Sequence, residues 1–203
     1  MPQLSTCFLP TAFKRIKSVI MKNAGKLEEV SALKQRDASF RLEDENTALI
    51  QCEMDMTRVD RRCEKVVIAD ACCGKADVGV VSFARFVNMK ALRVGSRCFA
   101  NATGLCLEGL SVLESVTLGS CCFVAEACQC IVRDCERLKE VRVGDGAFSR
   151  GSVCEIEHVP ALEMIEVGCS AFLSVPQVAF KGACRVVSVM GRFAAAAIDC
   201  CRV

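Results

Sequence analysis

Leu138-Lys-Glu-Val-Arg-Val-Gly-Asp-Gly-Ala-Phe148 is one of four related strings in the second half of the chain. In every copy a phenylalanine follows a glycine by four residues, and successive glycines lie 24 or 25 residues apart. The pairs are Gly95 and Phe99, Gly119 and Phe123, Gly144 and Phe148, and Gly168 and Phe172. A fixed period of this length is typical of solenoids, in which each turn buries its apolar face against its neighbours. The period therefore predicts a short solenoid.

Each copy contains two short apolar stretches. Before the glycine, the pattern L-x-x-V-x-V alternates apolar and polar residues, which indicates a strand with one buried face. A second apolar pair follows each phenylalanine, as in Leu105-x-Leu107. We expect the glycine to supply a positive φ where the first strand ends. The pattern predicts a solenoid of parallel strands with clear turns over residues 79–182, and weaker copies extend it to residues 63–192.

Two columns of charged residues support this register. Both alternate in sign from copy to copy: Lys90, Glu114, Lys139 and Glu163 in one, and Glu108, Arg133, Glu157 and Lys181 in the other. Parallel strands in register bring such side chains within about 5 Å, where opposite charges stabilise a pair by a few tenths of a kcal/mol. The alternation favours direct stacking of successive turns.

Two of the copies carry a family resemblance. Val143-Gly-Asp-Gly-Ala-Phe148 and Val167-Gly-Cys-Ser-Ala-Phe172 resemble the I-G-x-x-A-F repeats of the BspA-like leucine-rich repeat family. The resemblance covers residues 79–182 and implies a curved solenoid that binds proteins. It implies no catalytic residues, because the family shares none. The chain departs from the family pattern at Cys98 and Cys122, which replace the small residue, and it lacks the family's cysteine-serine segment after the phenylalanine.

The first 62 residues predict a separate cap region, which makes the chain an α+β repeat protein. Apolar residues at steps of three and four indicate one amphipathic helix over residues 12–36. We expect this helix to cap the first solenoid turn, and docking on a partner or a membrane surface is the alternative. Residues 1–27 contain five basic and no acidic residues, which is also the composition of a mitochondrial presequence.

Two segments leave alternatives open. Leu42, Leu49, Met56 and Cys63 form a seven-residue series, although Asn46, Glu53 and Asp60 oppose a long coiled coil. The alternative is that Phe40-x-Leu42 and Leu49-x-x-Cys52-x-Met54 form a degenerate repeat. At the other end, Val186-Val-Ser-Val-Met-Gly191 is a decayed copy and residues 193–203 form a tail without a polar cap. The array could therefore continue in a longer parent protein.

Composition excludes several classes of function. The chain has 203 residues and a net charge of +2, so no overall field draws it to nucleic acid. It contains no Trp or Tyr for base stacking. No apolar run has the roughly 18 to 20 residues of a membrane span. We expect a cytoplasmic protein, because its cysteine count is odd and no signal peptide is recognisable.

Seventeen cysteines raise the possibility of a metal or redox site. Five of them share columns with apolar residues of other copies and are predicted to be core: Cys98, Cys122, Cys130, Cys135 and Cys154. No C-x-x-C pair occurs, and the only histidine, His158, falls at a turn, so we expect no metal and no cofactor. The alternative is a cysteine-based metal-binding or redox protein that uses the cysteines outside those columns: Cys72, Cys73, Cys106, Cys121 and Cys169.

The sequence most favours a non-enzymatic protein-interaction module or scaffold with an unknown protein partner. Alternate residues of a parallel sheet point outward, and these define the candidate contact face. One column contains Arg93, Thr117, Arg142 and Glu166, and its neighbours are Ala91, Ser115, Glu140 and Met164.

Overall fold

A computed structural model describes the backbone of residues 18–22, 39–43, 46–51, 56, 59–74, 79–181, 188–190 and 197–200. Side chains are described for those residues between 46 and 181, except Gln177 and Phe180. The chain forms two compact units, Met1–Thr47 and Ala48–Val203. Within the described residues no helix is long and apolar enough to cross a membrane.

The described residues form fifteen β-strands. They are β1 Ser18–Lys22, β2 Ser39–Glu43, β3 Thr47–Ile50, β4 Lys65–Ile68, β5 Val80–Ser82, β6 Ala91–Val94, β7 Gly104–Glu108, β8 Ser115–Leu118, β9 Gln129–Arg133, β10 Glu140–Val143, β11 Val153–Glu157, β12 Met164–Val167, β13 Gln177–Lys181, β14 Ser188–Met190 and β15 Ala197–Cys200. From β4 onward the strands alternate between two sheets, so that each of these solenoid turns contributes two of them.

The first unit contains a parallel pair, in which Ser18 of β1 lies opposite Ser39 of β2. The predicted helix over residues 12–36 is not confirmed, because Ser18–Lys22 lies inside it and is a strand. Val19 and Ile20 are β-branched and suit a strand that has a partner, which a helical period cannot reveal. The rest of that segment lies outside the described residues. Phe40-x-Leu42 lies in strand β2, which pairs with β1 in a two-stranded sheet.

The second unit is a parallel β-solenoid of about five turns, as the period predicted. One sheet has seven strands in the order β3-β4-β6-β8-β10-β12-β14, and the other has six in the order β5-β7-β9-β11-β13-β15. Successive turns are in register, so that Leu92 lies opposite Val116 and Val116 lies opposite Val141. β14 coincides with the decayed copy, and β15 extends the second sheet into the predicted tail.

The core lies between the two sheets and is apolar throughout its described part. At one edge of it the repeat phenylalanines stack, with ring centroids 5.2 Å apart for Phe99 and Phe123, 4.9 Å for Phe123 and Phe148, and 5.1 Å for Phe148 and Phe172. All four have positive φ, between 51° and 53°. That conformation is strained for a bulky residue and persists only where the surrounding packing enforces it.

The repeat glycines do not have the positive φ that the sequence suggested. Among the described glycines only Gly109 and Gly146 have it. A Cβ on Gly119 would instead lie 2.5 Å from the backbone nitrogen of Ser96 and 2.6 Å from the carbonyl carbon of Gly95. Glycine is therefore needed because the backbones of successive turns touch at this column.

Both predicted charge columns are stacked in register. Backbone hydrogen bonds join the first column from residue to residue: Glu114 N to Lys90 O at 2.8 Å, Lys139 N to Glu114 O at 2.9 Å and Glu163 N to Lys139 O at 2.9 Å. Strand pairing aligns the second column from Glu108 to Lys181. The structure also adds Glu64 to the first column, since its carboxylate lies 3.1 Å from the ammonium of Lys90.

Turn length varies at one corner, between the phenylalanine column and the six-stranded sheet. Strand β7 starts at the fifth residue after Phe99, whereas β9 starts at the sixth residue after Phe123. The additional residue leaves Ala127 in a left-handed conformation, with its N–H donating to the carbonyl oxygen of Arg150 at 3.1 Å. The opposite corner is constant, with nine residues from Leu107 to Val116 and the same number in the next two turns.

Candidate interaction surface

The outward side of the seven-stranded sheet brings all the predicted face residues together. We call this surface the strand face and define it by ten outward residues: Lys65, Val67, Ala91, Arg93, Ser115, Thr117, Glu140, Arg142, Met164 and Glu166. All ten are exposed or half-buried. Because neighbouring strands lie about 4.8 Å apart, the five strands form a surface about 20 Å across.

Residues on the inner side of the same strands hold this surface in place. Leu92 and Val94 alternate with Ala91 and Arg93, and each is only 1% exposed. Burial of such side chains stabilises the fold by about 1.5–3 kcal/mol each. The outward side chains therefore project from a backbone that packing and strand pairing both fix.

Sequence reasoning missed Lys65 and Val67. The faint copy at Cys63-x-x-Val66-x-Ile68 identifies the strand, and the outward residues are those between its apolar ones. In the structure Lys65 lies opposite Ala91 and Val67 lies opposite Arg93. The alternation of inward and outward residues along β4 could therefore have identified both residues from the sequence.

Charges divide the strand face into two halves. On β10 and β12, Arg142 pairs with Glu140 and donates through Nε to a carboxylate oxygen of Glu166 at 3.0 Å. On β4, β6 and β8 the outward residues include two basic and no acidic side chains. Within the described residues neither Lys65 nor Arg93 forms a salt bridge.

The outward side of the six-stranded sheet carries an ion-pair network. Arg133 lies 2.8 Å from a carboxylate oxygen of Glu155 and 3.4 Å from one of Glu157, and Lys181 lies 3.2 Å from Glu155. The hydrogen bonds from Arg133 and then Lys181 hold the pKa of Glu155 below its usual value. These charged groups already form ion pairs with one another, so this side of the solenoid offers a partner fewer free charges than the strand face does.

The cysteines outside the predicted core columns do not form one cluster. Cys72 and Cys73, which the sequence analysis had not assigned to a core column, are buried because they occupy the positions of Cys98 and Phe99 one turn earlier. Cys106 is half-buried. The pKa of its thiol is raised mainly by burial and, to a smaller extent, by the nearby Glu108 carboxylate. The remaining two, Cys121 and Cys169, are exposed.

The predicted core cysteines are all buried. Cys122 donates its S–H to the carbonyl oxygen of Gly95 at 3.0 Å. Burial raises the pKa of the Cys135 thiol to about 11 and that of Cys128, which the columns had not assigned, to about 12. Thiols with such pKa values remain protonated near neutral pH and are poor nucleophiles and metal ligands.

The described residues also include the chain's only histidine and enclose a small cavity. They contain no group of three or more His, Cys, Asp or Glu side chains arranged to hold a metal ion. His158 is exposed, as predicted, and its Nδ1 lies 3.1 Å from a carboxylate oxygen of Asp134. A cavity of about 20 Å³ lies between the sheets and is lined by apolar side chains with Cys130 and Cys154. A cavity of that size has room for about one water molecule.

Comparison of the sequence with family models, curated proteins and solved structures found no match. The BspA-like assignment therefore stays a prediction that rests on the repeated strings themselves. Fold alone does not fix a function, so the functional argument depends on the surface residues.

Proposed function

We propose that the chain is a non-enzymatic protein-interaction module that contacts its partner through the strand face. The observation that carries this proposal is the in-register display of ten outward side chains on a sheet whose inner side is packed. A rigid surface binds at a lower entropic cost than a mobile one, because fewer groups must be ordered on association. Five strands also give a width that suits contact with a macromolecule.

The chemistry of the described residues agrees with recognition by a surface. Small-molecule sites are concave cavities of roughly 300–1,000 Å³ with a few polar groups. The cavity between the sheets is far smaller and has apolar walls. The strand face offers charged, polar and apolar side chains together, including Arg142 and Met164, and Arg and Met are enriched in protein interfaces.

Replacing Arg93, Arg142 and Glu166 with Ala tests the proposal. These residues are exposed or half-buried, so each change is expected to alter the free energy of unfolding by only about 0.5 kcal/mol. Partners captured by the native chain in an affinity pull-down with mass-spectrometric identification should be lost by this variant. If the variant keeps its melting temperature and still captures the same partners, the strand face is not the contact surface.

The second candidate is a thiol-based metal or redox protein, which the exposure of Cys121 and Cys169 favours. Replacing Cys106, Cys121 and Cys169 with Ser is the matched control for the alanine variant. On the interaction proposal the serine variant keeps the partner. Loss of the partner or of bound zinc in the serine variant alone would instead support the thiol function. We place the module in the cytoplasm, where free thiols persist.

A further inference from the structure

The charge division of the strand face indicates what kind of partner it fits. We propose that the half formed by β4, β6 and β8 binds an acidic, extended segment of a partner protein, with Arg93 as its main contact to a carboxylate. This inference rests on the proposed function and names the chemistry of the partner.

The first step of the argument compares basic residues on strands whose side chains the structure describes. Arg133, Arg142 and Lys181 each lie within 3.4 Å of a carboxylate oxygen of this chain. Lys65 and Arg93 form no such pair with any described residue, and they lie on adjacent strands of the same face. Lys65 and Arg93, which have no ion-pair partner among the described residues, therefore belong to one patch.

The second step concerns the residues around Arg93. Its in-register neighbours are Val67 on β4 and Thr117 on β8, its outward neighbour on β6 is Ala91, and Ser115 lies beside Thr117 on β8. These side chains are short or apolar and carry no charge. Arg142 lies two positions further along the same column, and the next strand after it places Glu166 opposite it, where Thr117 lies opposite Arg93. Arg93 is therefore surrounded by short or uncharged side chains, and it lacks the neighbouring carboxylate that Arg142 has in Glu166.

The third step is the chemistry that complements this patch. A guanidinium binds a carboxylate through two parallel hydrogen bonds, and Lys65 adds a second positive charge one strand away. The column of alternating charges runs alongside: Glu64 forms an ion pair with Lys90, and Glu114 lies between Lys90 and Lys139. An extended acidic peptide would place alternate carboxylates on the side that faces the sheet.

The probe is a short fluorescent peptide of alternating Glu and Thr, with Gln-Thr and Lys-Thr peptides of equal length for comparison. Binding to the full chain is measured by fluorescence anisotropy at low and physiological salt. We expect the Glu peptide to bind at least about fivefold more tightly than the Gln peptide, and added salt to weaken the difference because it screens exposed charges. The Lys peptide should bind more weakly than either.

Three variants locate the contact. Arg93→Gln should weaken binding of the Glu peptide by about fivefold or more. Thr117→Glu should weaken it similarly, because it places a carboxylate opposite Arg93 as Glu166 stands opposite Arg142. Arg137→Gln is the matched control, since it removes the same charge from an exposed turn residue that is not part of the strand face, and it should bind the peptide unchanged. Melting curves check that all three variants fold.

The inference is overturned if the Glu peptide shows no saturable binding, or if Arg93→Gln and Arg137→Gln weaken it equally. Tight binding of the Gln peptide that is lost in the alanine variant of the strand face would overturn the acidic partner and leave the proposed function standing. If both proposals fail, the alanine variant also retains every partner in the pull-down.

Discussion

Phe148→Ala is the sharpest test of the repeat register. The side chain is fully buried, and its ring stacks on Phe123 at 4.9 Å and on Phe172 at 5.1 Å. Phe-to-Ala changes in cores cost about 3–5 kcal/mol, and each aromatic pair adds about 0.5–1.5 kcal/mol beyond area burial. Because the ring belongs to two such pairs, we expect a loss in the upper part of the range for core Phe-to-Ala changes, about 4–5 kcal/mol. In a chain of this length that lowers the melting temperature by about 8–20 °C.

Urea unfolding followed by far-UV circular dichroism measures the loss as a lower midpoint at an unchanged slope. Phe148→Leu is the control, because leucine keeps most of the apolar volume and removes mainly the two ring stackings, at about 1–3 kcal/mol. If both variants lose less than about 1 kcal/mol, the phenylalanine column does not fill the core and the reasoning is refuted.

Further predictions concern the glycine column, the charge ladder and the thiols. Gly119→Ala should cost about 3 kcal/mol in urea unfolding because its Cβ meets the preceding turn, whereas Gly74→Ala, whose nearest contact would be 4.0 Å away, should cost almost nothing. Equal costs would contradict the close approach. Lys139→Glu, between Glu114 and Glu163, should lose a few tenths of a kcal/mol per neighbour, and reversal of the whole ladder should recover most of it. A full reversal no more stable than the single change would count against in-register stacking. In native thiol titration with the modified cysteines identified by mass spectrometry, Cys121 and Cys169 should react first among the cysteines whose side chains the structure describes, and the buried ones among these only on unfolding; uniform rates within this set would show that burial is misassigned.

The solenoid could be predicted from the sequence because its determinants repeat. An alternation such as Val141-Arg-Val143 fixes which residues point inward, and the constant spacing aligns one turn with the next. The face residues followed from the same alternation, so Arg93 and Arg142 were placed correctly on one surface. What these residues bind was not fixed by the pattern.

Errors arose where one turn's environment overrides a general rule. Glycine at the repeat position suggested a positive φ. Its actual role, to let the backbones of two successive turns come close, cannot be recognised from the sequence of one turn alone. Cys73 was not recognised as core because it replaces a phenylalanine, and a column is hard to recognise when its defining residue changes. The apolar spacing around Ser18–Lys22 suggested a helix, but this segment pairs as a strand with Ser39–Glu43, about twenty residues further along the chain. In each case the missing information is a contact between segments.

The corner of variable length has a consequence for how this chain tolerates change. Insertions between the phenylalanine column and the six-stranded sheet, such as the one that accommodates Ala127, leave the register of both neighbouring strands intact. The corner beside Leu107 keeps one length in three successive turns. Peptide tags or grafted loops placed after Ala125 would thus project from one edge of the solenoid, while the spacing across the strand face stays the same.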